Sequence, residues 1–141
     1  MITVYFDGSD RHYNAEGGGA YGVVIVKNGK TVKEISGPVV AEGPTSHNVA
    51  EYAGLIVAMK WLIAMRIHDQ NIHVMGDSQL VINQMFHGWK IRGGLYAEKA
   101  REAMILRFLF PHMTGEWIPR DENRRADFLA RREWENREKK K

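Results

Sequence analysis

At 141 residues, 44% of them hydrophobic, the chain is long enough to close one core, whereas two domains would each be marginal, so a single domain over residues 1–141 is expected. The absence of cysteine excludes disulfides, thiolate zinc sites and a cysteine nucleophile. The formal net charge of +3 is uneven: residues 1–86 carry 6 Lys and Arg against 8 Asp and Glu, residues 87–141 carry 14 against 9, and a basic half attached to an acidic half suits a polyanionic partner. No apolar run is long enough to span a bilayer, and no charged segment leads into an apolar one at the start. A soluble cytoplasmic protein with no membrane partner is therefore expected.

In the first segment, Ile2, Val4 and Phe6 alternate with Thr3, Tyr5 and Asp7, the period of a strand, and Gly8-Ser9 is expected to close it. After the polar stretch Ser9 to Gly18, residues 20–27 and 30–36 read as two strands joined at Asn28-Gly29, a strong hairpin signal. The pattern turns helical from Ser46 to about Met65, with Thr45 or Ser46 available as N-cap and Pro44 just outside. Its stripe of Leu55, Ala58, Leu62 and Met65 is extended by Glu51 toward the N-terminus. Residues 71–76 form a short strand ending at Asp77, and a helix follows over 78–87. Strand, helix, strand in sequence imply a crossover and a parallel pair. Gly88 to Gly94 is a loop, 95–109 a helix, and 114–118 a last strand ending at Pro119; the turn Arg120 to Asn123 leads into a final helix from Arg124 that carries Asp127. The charged segment from Arg131 to Lys141 is set apart as a tail, with extension of the last helix, contact with substrate and disorder all open to it. The expected fold is α/β: a mixed five-stranded sheet, three antiparallel strands followed by parallel ones, flanked by helices.

Four carboxylates, Asp7, Glu51, Asp77 and Asp127, stand where strands end or helices begin, within apolar sequence. Singly, each has a structural explanation: acids are favoured in the first turn of a helix, and Asp77 could be an N-cap. Together they point elsewhere, because gathering buried carboxylates at one end of a sheet requires a compensating cation. Oxygen-only ligands without cysteine favour a hard octahedral ion, Mg²⁺ or Mn²⁺, and two such ions can clamp the attacking and leaving oxygens of a phosphodiester.

The chain resembles the type 1 ribonuclease H family across nearly its whole length. The resemblance rests on Phe6-Asp7-Gly8-Ser9, Gly18-Gly19-Ala20-Tyr21-Gly22, Asn48 to Tyr52, Gly76-Asp77-Ser78-Gln79 and Asn123 to Ala130, in order and at suitable intervals. It implies the ribonuclease H-like fold and hydrolysis of the RNA strand of an RNA/DNA hybrid by two Mg²⁺ ions, with Mn²⁺ as a substitute, leaving 5′-phosphate and 3′-hydroxyl ends. By resemblance Asp7 bridges both ions, Asp127 helps hold the ion that activates water, and Glu51 and Asp77 hold the ion at the leaving oxygen. His47, Asn48 and Gln79 then approach the minor groove, where 2′-hydroxyls distinguish RNA from DNA, and Ser46 stands near a DNA phosphate. A monomer without an obligate protein partner is expected.

Three departures from the family stand out. His47 replaces a common amide residue. Phe86 to Gly94 is too short for the basic, Trp-rich protrusion of many relatives, although Trp89, with Lys90 and Arg92, offers a residual strand-binding surface. Trp117 to Asn123 contains no histidine where many relatives carry one before the last acid, and Arg120 is the candidate auxiliary cation in its place; the plain alternative is an ion pair with Asp121 or Glu122. A catalytically weak hybrid-binding module is the nearest competing reading. A nucleotide site on Glu16 to Gly22 is disfavoured because that run precedes a strand instead of opening a helix. Zinc at His47 and Glu51 lacks a third nearby ligand.

Overall fold

The computed structural model describes residues 1–10, 18–39 and 46–139. Its elements are β1 (Ile2–Asp10), β2 (Gly19–Lys27), β3 (Lys30–Pro38), α1 (His47–Ala64), β4 (Ile72–Gly76), α2 (Gln79–Phe86), α3 (Ala97–Arg107), β5 (Met113–Trp117), a 3-10 turn at Arg120–Glu122, and α4 (Arg124–Lys139). The sheet order is β3-β2-β1-β4-β5. The first three strands are antiparallel, and β4 and β5 run parallel to β1, as expected for the mixed sheet. Asn28 and Gly29 take positive φ, 51° and 81°, at the β2–β3 hairpin. No helix among the described residues is long and apolar enough to cross a membrane.

Alternation along β1 sorts the core. Ile2, Val4 and Phe6 join Val23 and Ile25 of β2 and Val74 of β4 beneath Tyr52, Leu55 and Leu62 of α1, with α2 and α3 completing that layer. On the opposite face α4 packs Ala126 and Leu129 against Val24. Two glycines permit these helices to approach the sheet. A Cβ on Gly8 would lie 2.3 Å from both Ala50 C and Glu51 N, and one on Gly22 would lie 2.2 Å from Ala126 O. Only a residue without a side chain lets α1 and α4 settle on β1 and β2 at this distance, and that approach brings Glu51 and Asp127 to the end of β1.

Two expectations need correction, and two readings left open are decided. Gly8-Ser9 does not close β1, which continues to Asp10 because β2 supplies partners through Asp10↔Gly19, while β4 pairing stops at Phe6↔Gly76. Met65 leaves the buried stripe: it is the C-cap of α1 and half exposed, beyond the last turn that faces the sheet. Asp77 is not the cap of α2; Ser78 is, its hydroxyl accepting from Val81 N–H. Of the readings open for the charged segment, extension of the last helix holds: α4 runs on past Arg131 and buries Trp134. Pro44, Thr45, Glu16 and Gly17, most of the Ser9 to Gly18 stretch, and the last two lysines lie outside the described residues.

The 87–96 segment, which stands in place of a protrusion, is tied to the core by buried polar groups. Tyr52 OH donates to Gln84 Oε1 (2.5 Å), and Gln84 Nε2 donates to Lys90 O (3.1 Å) and Tyr96 OH (3.3 Å). Tyr52 and Tyr96 stack with ring centroids 6.2 Å apart. These contacts leave Trp89 outside the core, half exposed.

Candidate active site

The site forms where β4 stops and β1 continues. Asp7 is the first β1 residue without a β4 partner, Asp77 follows the last residue of β4, and Glu51 reaches them from the second turn of α1. Ligand oxygens of Asp7, Glu51 and Asp77 lie within 4.8 Å of one another. Asp127, in the first turn of α4, lines the same open cleft of about 500 Å³ together with Asp7, His47, Asp77, Trp117, Arg120 and Arg131.

Glu51 is fully buried, and neither carboxylate oxygen has a well-aligned hydrogen bond, although His47 Nε2 stands 2.9 Å from Oε1. Burial, followed by the charges of Glu51 and Asp77, pushes Asp7 up to about 10. Burial likewise raises Glu51, to about 8, with Asp77 adding to the rise. Two buried carboxylates with a third beside them form a cluster that fits a divalent cation with oxygen ligands.

The raised carboxyls make metal-free stability depend on pH. The folded site keeps protons that the unfolded chain releases near the ordinary carboxylate values of 3.8 and 4.5, so its contribution is fully present below them and is lost as pH rises toward about 8 to 10. The metal-free melting temperature should therefore fall between pH 5 and pH 9, and saturating Mg²⁺ should flatten the slope. Melting curves in EDTA and in Mg²⁺ across that range provide the check; identical slopes would contradict it.

The other expected site residues are distributed unevenly. His47 and Arg120 line the cleft. Ser46 caps α1, its Oγ accepting from Val49 N–H at 3.2 Å, while Asn48 and Gln79 occupy the first turns of α1 and α2 beside the cleft lining. Trp89 lies on the 87–96 segment and is not among the residues lining the cleft. Arg120 Nη2 lies 3.6 Å from Asp127 Oδ1, so the acid it faces is Asp127 and not Asp121 or Glu122.

Three contributors were not singled out from sequence. Asn123 is buried, and its Nδ2 donates to Phe6 O (2.9 Å) and Asp77 Oδ1 (3.4 Å), tying the start of α4 to both site strands. Trp117 Nε1 donates to Asp77 O (3.1 Å). Arg131 Nη2 lies 3.1 Å from Asp127 Oδ2. The i, i+4 spacing of Asp127 and Arg131 was the available signal for the last; Asn123 and Trp117 carry no local signal, because their partners are distant in sequence.

A mixed sheet of this order, with acids where β4 ends and β1 runs on beyond it, defines the ribonuclease H-like class. The family model described as reverse transcriptase-like matches residues 5–133. The RNase H1 structure from Halobacterium salinarum is similar at 31% identity and a TM-score of 0.81, with 96% of this chain and 98% of that one covered. LC11-RNase H1, solved in complex with an RNA/DNA hybrid, is similar at 32% identity and a TM-score of 0.81, covering 94% and 95%. A bifunctional protein of Mycobacterium tuberculosis is 32% identical over 130 residues, 92% of this chain and 34% of that protein. The chain thus spans about a third of the first curated relatives it matches. It belongs to the type 1 ribonuclease H family, within the reverse transcriptase-like group.

Proposed function

We propose that this chain is an endonuclease that hydrolyses the RNA strand of RNA/DNA hybrids with two divalent metal ions, leaving 5′-phosphate and 3′-hydroxyl ends. The observation that carries this reading is Glu51: an acid fully buried, with its ligand oxygens among those of Asp7 and Asp77. The hybrid held by LC11-RNase H1, a relative similar over nearly the whole chain, supports the choice of substrate. Asp7, Glu51 and Asp77 would hold one ion, and Asp7 with Asp127 the other, Mg²⁺ being the expected ion and Mn²⁺ a substitute. When bound, the ions supply an activated water and neutralise charge on the phosphodiester.

The chain's own residues prepare the site. His47 Nε2 beside Glu51 Oε1 and Asn123 Nδ2 beside Asp77 Oδ1 hold two of the carboxylates in orientation. Ser46, Asn48 and Gln79, at the starts of α1 and α2, present polar groups and helix N-termini to the substrate, with Asn48 and Gln79 directed to 2′-hydroxyls. Exposed Trp89 offers a stacking surface to the strand beyond the cleft. The enzyme would work as a cytoplasmic monomer.

Arg120, largely exposed beside Asp127, supplies a permanent cation to the product phosphate where other family members use a histidine. Arg120→Ala should slow multiple turnover by roughly tenfold while leaving hybrid affinity within about twofold. Steady-state rates measured beside equilibrium binding of an uncleaved hybrid would decide it, and wild-type values for both would remove Arg120 from the mechanism. The proposal as a whole is tested by incubating a 5′-labelled hybrid with Mg²⁺, Mn²⁺ or EDTA and identifying the product ends. Metal-dependent fragments with 3′-hydroxyl ends are expected; cleavage that persists in EDTA or leaves cyclic phosphates would contradict it.

A further inference from the structure

The four carboxylates are not equivalent. Asp7, Glu51 and Asp77 turn ligand oxygens toward one another, whereas Asp127, which also reaches Asp7, has a guanidinium beside each oxygen: Arg120 at 3.6 Å from Oδ1 and Arg131 at 3.1 Å from Oδ2. Both arginines are more than half exposed and anchored by long, mobile stems, while Asp127 is held at the start of a packed helix. Exposed ion pairs of this kind are weak and exchange readily for a better cation or anion.

We infer that Arg131 is a positioning residue that occupies Asp127 until the second divalent ion displaces it, so that the two ions load in sequence. This rests on the two-ion reading of the site. The first ion enters a place already formed by three carboxylates whose mutual repulsion it relieves. The second must break the Asp127–Arg131 pair and then sits close to a retained positive charge, both of which lower its affinity. The displaced guanidinium remains beside the cleft, where a substrate phosphate offers it a new bidentate partner. Loading of the second ion is thereby favoured when a phosphodiester is present, which limits metal capture by the empty enzyme.

The test is a Mn²⁺ titration of the full chain without nucleic acid, following free Mn²⁺ by electron paramagnetic resonance and heat by calorimetry. Wild type, Arg131→Gln and Arg124→Gln are compared; Arg124 lies on the same helix and carries the same charge, but donates to Asp121 O instead of Asp127. Arg131→Gln should tighten the second, weaker site by roughly three- to fivefold and leave the first within twofold, while Arg124→Gln changes neither. An unchanged or weakened second site in Arg131→Gln, or equal tightening by both substitutions, would overturn the assignment while leaving the two-ion reading standing. Failure of the wild type to bind any Mn²⁺ would overturn both.

Discussion

Asp7→Asn should abolish cleavage and, in the absence of metal, raise the melting temperature. The first effect follows from the position of Asp7 at the centre of the site, within ligand distance of Glu51 and Asp77 and in the same cleft as Asp127. Replacing its carboxylate by an amide removes the charge that the proposed mechanism has both metal ions share, and a loss of at least about 10³-fold in rate is expected. The second effect has the opposite sign because the metal-free site is electrostatically strained. Burial and two neighbouring acids push Asp7 far above an ordinary carboxylate, so at neutral pH folding must retain a proton or bury repelling charges. Asparagine is nearly isosteric and has no charge to desolvate. A gain of the order of 5 °C in EDTA is expected, larger at pH 8 than at pH 5, and shrinking or reversing in saturating Mg²⁺, which stabilises only the wild type. A variant that melts at or below wild type in EDTA would show that the acids do not repel one another.

Gly8→Ala should be strongly destabilising. Its Cβ would meet backbone, Ala50 C and Glu51 N at 2.3 Å and Ala50 O at 2.7 Å, so no side chain can turn aside to make room. The only relief is a shift of α1 away from β1, which opens the core around Tyr52 and Leu55 and withdraws Glu51 from Asp7. Overpacking against backbone places the cost near the upper end of the usual range, roughly 3 kcal/mol, or about 6–12 °C in melting temperature for a domain of this size. Cleavage measured well below the melting transition should also fall, because the displaced Glu51 belongs to the carboxylate cluster proposed to hold metal. Gly93→Ala is the control: nothing lies within 4 Å of its Cβ, its φ is ordinary, and stability should stay within about 0.5 kcal/mol of wild type. A Gly8→Ala protein with wild-type melting would show that α1 does not rest on β1 at this point.

The acids were legible because local pattern and chemistry coincide at them. Asp7 follows the alternating run of Ile2, Val4 and Phe6 with no helix behind it to explain a charge, and Glu51 extends the stripe of Leu55, Ala58 and Leu62 onto a buried face. The mixed character of the sheet followed from the Asn28-Gly29 hairpin and the strand-helix-strand run through α1. What escaped was tertiary. Nothing near Asn123 announces a hydrogen bond to Phe6, 117 residues away, and nothing in the Trp117 segment announces Asp77. Arg131 was grouped with a charged tail because Lys and Arg crowd the sequence after it; only the burial of Trp134 shows that the helix is still packed there. The end of β1 was misplaced for a similar reason. Glycine and serine usually close a strand, but β2 continues to pair with this one, and that partner is invisible locally.

The central claim is best tested by offering the protein a labelled RNA strand in three forms, alone, paired with RNA and paired with DNA, in Mg²⁺, with Asp77→Asn as the matched control. Cutting confined to the RNA/DNA hybrid and lost in Asp77→Asn is the predicted result. Equal cutting of all three forms, or no cutting of the hybrid by a folded wild-type protein that nevertheless binds it tightly, would contradict the account and leave a binding module in place of a hybrid-specific enzyme.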